Sequence, residues 1–180
     1  PVLQVKGQAG ESVLSLDPDF LQALDMAKIS SSPVKPGKSS GETGIRLPVS
    51  GGVIDLNGFI GTVNHSGGIL LTGLDGSKVK LHNLRLELGG GTPQVSGIVQ
   101  VNGGLVGEFA LFDIVIYEDS DIDVNKNGRL VGSGLGLTLT QEAADALLTA
   151  LGISLSAGDD VASLDSKARL RGFNPKFVDD

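Results

Sequence analysis

The chain contains no cysteine and no tryptophan, and only one tyrosine and one methionine among 180 residues. Without cysteine there are no disulfides, no Cys-ligated zinc and no thiol catalysis. Aromatic residues amount to 4%, which leaves little to stack on bases or sugars and few side chains of the kind that anchor interfaces. Long apolar runs are also missing. No stretch approaches the roughly 18 residues of a membrane span, so no membrane insertion is expected. Positive charge is scarce: 14 Lys and Arg face 21 Asp and Glu, and the resulting net charge of −7 repels nucleic acid.

Catalytic patterns are absent as well. No serine stands in a G-x-S-x-G elbow. The glycine clusters at 89–91 and 132–136 lack the G-K-[ST] and the βαβ context of a phosphate loop. The expectation is a protein that is not an enzyme. The chain starts at Pro1 with no apolar leader, and it is rich in Gly, Ser, Thr and Val. That composition reads as an exported protein, secreted or at the cell surface.

What is present is β-structure. Apolar residues make up 40% of the chain, and 27 glycines punctuate short apolar runs. This pattern predicts a single mainly-β domain over 1–180, an antiparallel β-sandwich or partly open barrel with two short helices. Residues 1–29 read as two strands, "VLQVK" and "SVLSL", followed by a helix. Asp17 caps that helix, Pro18 opens it, and Phe20, Leu24 and Ala27 share a face. Residues 30–44, "SSSPVKPGKSSGETG", read as an exposed Ser/Pro/Gly loop.

The main sheet is expected over 45–180. In "KVKLHNLRLEL" the apolar parity switches between Val79/Leu81 and Leu84/Leu86/Leu88, which requires a β-bulge at His82–Asn83. "LVGEFALFDIVIY" is apolar on both faces and reads as a central strand. A late helix at about 140–151 is capped by Thr140, stopped by Gly152, and carries Ala144, Leu147, Leu148 and Leu151 on its apolar face.

Three sets of residues are candidates for function. Asp121, Asp123, Asn125 and Asn127 present oxygens at alternating positions, and "DVNKNG" matches the first half of an EF-hand loop. The twelfth position is Gly134 rather than Glu, so any calcium binding would be weak; Asn-Gly between two strands is the strongest short hairpin signal, and a plain hairpin turn is the favoured reading. Val2, Leu3 and Val5 lie on an N-terminal strand that either closes its own sheet or adds to a neighbour's. His65, in "VNHSGGILLTG", has the strand parity of Val63 and leans inward beside a glycine turn.

The segments "LPVSGGVID", "GFIGTVNHSGGILLTG", "VKLHNLRLEL" and "LTLTQEAADALLTALG" resemble a group of exported bacterial β-proteins of unassigned activity. More distantly, the chain is similar to the HtaA-type haem-binding domain of bacterial surface proteins. That resemblance implies haem held by an axial tyrosine near the first helix, with the turn histidine in support. His65 matches the turn position. The first helix carries Phe20 where a tyrosine is implied, and the one tyrosine is Tyr117 on another strand.

Two readings follow. The first is an exported structural or interaction module without cofactor, partnered by itself or by other surface proteins, and self-associating into a filament or layer through Val2, Leu3 and Val5. The alternative is a small apolar ligand (haem-like) binding protein that uses the His65 hairpin and Tyr117.

Overall fold

The computed structural model describes residues 1–178. The strands are β1 (Val2–Leu16), β2 (Ser30–Val34), β3 (Lys38–Ser40), β4 (Gly44–Asp55), β5 (Ile60–His65), β6 (Gly68–Thr72), β7 (Lys78–Leu88), β8 (Gln94–Val101), β9 (Gly104–Val115), β10 (Asp121–Val124), β11 (Arg129–Leu139) and β12 (Asp160–Leu170). Helix α1 (Pro18–Met26) follows β1, and α2 (Gln141–Leu151) joins β11 to β12. A single 3-10 turn, Pro175–Phe177, comes last. The class is mainly β, antiparallel throughout, with two helices, as the sequence pattern predicts.

The strand pairings close on themselves. β1 pairs with β4, β4 with β5, β5 with β7, β7 with β8, β8 with β9, β9 with β11, β11 with β12, and β12 with β1. The ring is uneven: β9 and β11 meet only from Phe112 to Val115, and β2, β3, β6 and β10 are attached at its margins. Inward-facing Leu14, Leu47, Leu71, Leu111, Leu137 and Leu164 form the core. Each such leucine contributes about 1.5–3 kcal/mol of burial free energy.

Local chemistry sets both helices. The Asp17 side chain accepts from Asp19 N at 2.9 Å, and Pro18 opens α1, which turns Phe20 and Leu24 inward. Thr140 accepts from Ala143 N and donates to the carbonyl of Ala110 at 2.7 Å, which ties the start of α2 to β9. Gly152 ends α2 in the left-handed region at φ 70°.

Three features depart from the sequence reading. β1 is one continuous strand, irregular in register between Val5 and Gly10, rather than two. The expected 30–44 loop contains β2 and β3, which pair with β6 and β4. β2 is a marginal strand whose side chains are mostly solvated, so no alternation marks it, and Pro33 is tolerated there because an edge needs no N–H on its open side. The apolar stripe of α2 is centred on Ala143, Ala144 and Leu147, while Leu148 is 51% exposed.

β9 also differs from a strand covered on both sides. Its first half holds Leu105, 71% exposed, because that half pairs with β8 alone and β11 meets β9 only from Phe112 to Val115. The bulge in β7 stands where parity requires it. Asn83 takes φ 51°, donates its N–H to Gly67 O, and the register shifts between His82 and Arg85.

Candidate functional site

His65 is the most buried ionisable group of the candidate set, at 3% exposure. β5 turns it inward with Val63, and it stands opposite Val49 of β4. Its Nε2 is 2.6 Å from Ser12 Oγ of β1, and its Nδ1 is 3.1 Å from the carbonyl of Leu84 on β7. Ser12 Oγ is in turn 2.7 Å from Ser166 Oγ of β12.

One proton arrangement satisfies every contact. A carbonyl only accepts, so Nδ1 carries the hydrogen and Nε2 must accept from Ser12. The Ser12 hydroxyl then has no hydrogen left, and Ser166 donates to it. Burial lowers the His65 pKa from 6.5 to about 4, overriding the backbone hydrogen bonds that raise it. The imidazole is neutral, fully engaged and sealed. It pins β1, β5, β7 and β12 together from inside the ring.

Sequence reasoning found His65 but missed its two serines. Their signal was available: Ser12 has the parity of Leu14 and Leu16, and Ser166 that of Leu164 and Ala168. A lone polar residue on an apolar face needs a partner.

Tyr117 is elsewhere. Its ring lies over Gly136, where an added Cβ would stand 2.6 Å from the Tyr117 Oη. Gly136 alternates with inward Leu135 and Leu137, so Tyr117 covers the outer surface and is 48% exposed. His65 and Tyr117 are not brought together.

The acidic turn is committed to its own backbone. Asn125 Oδ1 accepts from Asn127 N at 3.0 Å and Arg129 N at 3.1 Å, and Asp123 Oδ1 accepts from Val124 N. Asp121 and Asp123 stand on exposed positions of β10. Among the described residues no three His, Asp or Glu side chains gather to hold a metal ion.

Val2 and Leu3 pair with Asp55 and Ile54 of β4, and Val5 pairs with Leu170 of β12. The N-terminal strand lies between two others of its own sheet. Among the described residues no helix is long and apolar enough to cross a membrane.

An opening with apolar walls lies beside α1. It is a cleft of about 410 Å³, walled by Phe20 and Ala23 of α1, Leu139, Leu155 and Val161, with Asp19, Asp159 and Asp160 at its edge. Phe20, Leu139 and Val161 also wall an entirely apolar seam of about 30 Å³ between the sheet and both helices, which reaches Leu14, Ala143 and Leu147. Phe20 therefore separates the cleft from the core. Sequence reading singled out Phe20 only as the aromatic residue of the first helix, because the loop that completes the cleft, 152–159, carries no motif.

No protein-family model matches the chain, and no curated protein does. Solved structures do. The C-terminal domain of HtaA from Corynebacterium glutamicum superposes with a TM-score of 0.71 at 15% identity, over 93% of this chain and 99% of that one. The chain has the HtaA fold. The N-terminal domain of HtaA matches at 0.62 and 13% identity, over 93% and 100% of the two chains. HtaB of the same organism, a haem-binding protein, matches at 0.64 and 14%, over 95% and 96%. The distant likeness to the HtaA-type domain carried by the His65 hairpin is thus a likeness of the whole fold.

HtaB also corrects the expectation of a module without cofactor, because a haem-binding protein is built on this architecture. The fit of haem to this chain is decided by its donors. Iron takes His, Tyr, Met or Cys side chains as axial ligands. Among the described residues none of these lines the cleft. His65 is sealed, Tyr117 lies on the outer surface, and Met26, 76% exposed, projects from the opposite side of α1 to Leu24. His82 stands on the parity opposite to Val79 and Leu81, with its Nε2 covered and unpartnered. The cleft offers apolar walls and, among the described residues, none of these axial ligands.

Proposed function

We propose that this chain is a non-catalytic binding module for a planar, apolar ligand of the haem type, acting in an exported or cell-surface protein. The reading is carried by the fold shared with HtaB over 95% of this chain. The cleft beside α1 supports it: about 410 Å³ lies within the 300–1,000 Å³ common for small-molecule sites. Phe20, Leu139 and Val161 line both the cleft and the apolar seam behind it, so the cleft floor is apolar.

The test is a titration of haemin into the purified protein, followed by visible absorbance. The expected result is a saturable one-to-one change, abolished in Ala23→Trp, which fills the cleft from the helix side while circular dichroism stays unchanged. Absence of saturable binding to the wild-type protein overturns the reading.

Self-association stands as a second reading on one observation. A variant of the HtaA C-terminal domain, H434A, forms a domain-swapped dimer of this fold. In the present chain β1 is paired on both sides, so exchange between copies requires the ring to open.

A further inference from the structure

We infer that the ligand of the α1 cleft is held without metal coordination and carries a cationic rather than an anionic edge. The inference rests on the binding reading above and narrows its chemistry. Two independent observations carry it. The first is the donor set: Phe20, Ala23, Leu139, Leu155 and Val161 give van der Waals surface, and nothing among them binds iron. A ring in this cleft gains from apolar burial at about 25 cal/mol per Å², a term indifferent to a metal at its centre.

The second is the sign of charge at the rim. Asp19 stands in the first turn of α1, Asp159 ends the 152–159 loop and Asp160 opens β12. No Lys, Arg or His lines the cleft to offset them. Asp159 accepts from Ser156 N through Oδ2, while neither Asp19 nor Asp160 has a cationic side-chain partner among the ion pairs of the described residues. Haem presents two carboxylates at one edge, and that edge would meet three more here. An edge bearing amines meets complementary charge instead. The whole chain, at −7, adds to the same preference.

Three probes separate the terms: haemin, iron-free protoporphyrin IX, and protoporphyrin IX whose carboxylates are amidated with ethylenediamine to give a dication. Binding is read by ring absorbance and fluorescence at low ionic strength, with the Asp159→Asn/Asp160→Asn double variant beside the wild type. Haemin and protoporphyrin IX should bind within about threefold of each other, well under 1.4 kcal/mol of difference. The dication should bind at least about tenfold tighter, and the double variant should lose most of that preference. Haemin binding about tenfold or more tighter than protoporphyrin IX overturns the inference while leaving the binding reading intact. A preference for the dication unchanged in the double variant, or a preference for the carboxylate ring, overturns it too. If none of the three binds saturably, the binding reading itself fails and this inference goes with it.

Discussion

The imidazole of His65 and the hydroxyl of Ser12 lie 2.6 Å apart inside the ring, joining strands β5 and β1, with Ser166 the further polar side chain in contact with the pair. The pair is neutral by necessity, because a charged imidazole there has no counter-ion to offset its lost hydration.

Stability should therefore depend on pH in one window. Unfolded, the histidine takes up a proton below about pH 6.5; folded, only below about 4. Between those values the unfolded chain holds a proton that the folded chain lacks, so stability falls as pH drops from 6.5 and levels off below 4. The loss attributable to this group is on the order of 3 kcal/mol. Urea unfolding of wild type and His65→Asn at pH 7.5 and 4.5 checks it. The variant should be about 2 kcal/mol less stable at pH 7.5, with Ser12 losing its acceptor, and should show a smaller drop on acidification. Equal drops in both proteins would remove His65 as the cause.

Tyr117 and Gly136 should be coupled. Gly136→Ala pushes a methyl group against the phenol and should cost about 1 kcal/mol. In a Tyr117→Ala background the same change should be neutral or slightly stabilising, since the backbone there is extended and alanine lowers the entropy of the unfolded chain. A double-mutant cycle by thermal unfolding measures the difference, and a coupling near zero contradicts the packing described.

Thr140 both caps α2 and holds it to β9. Thr140→Ala should cost about 1–2 kcal/mol in urea unfolding, and Thr140→Ser should recover most of it. Failure of serine to rescue would mean that the methyl group, not the hydroxyl, matters.

Calcium should leave the melting temperature unchanged at millimolar concentration, in wild type and in Asp123→Ala alike. The oxygen of Asn125 already receives two backbone N–H groups and is not free to turn outward. A calcium-dependent rise lost in Asp123→Ala would contradict this.

The parts of the fold written in period-two alternation or in capping chemistry were legible in the sequence. The bulge at His82–Asn83 follows from five apolar residues changing parity, and both helices follow from Asp17, Thr140 and Gly152. β2 was not legible, because a solvated margin strand of Ser and Pro pairs through its backbone and leaves no side-chain signature. The exposure of Leu148 and Leu105 was also hidden: apolar periodicity shows which residues could be buried, whereas the lengths of the neighbouring elements decide which are. The site divides the same way. His65 is conspicuous as a rare residue, but its partners Ser12 and Ser166 are common ones, distinguished only by parity. The cleft arises from a loop lying against α1, a relation that no local pattern encodes.

The contact between Ser12 and Ser166 spans 154 positions of chain. It lies on the seam where the first strand of the sheet meets the last. A chain emerging vectorially can offer β4 to β1 early, but β12 arrives only after nearly everything else has been made. Until then one flank of β1 presents open N–H and C=O groups, available to any passing edge. Contacts of such long separation carry a large loop-closure cost and form late. Closure of that seam should set the pace of folding, and the interval before it is when a nascent copy is most exposed to pairing with the wrong chain.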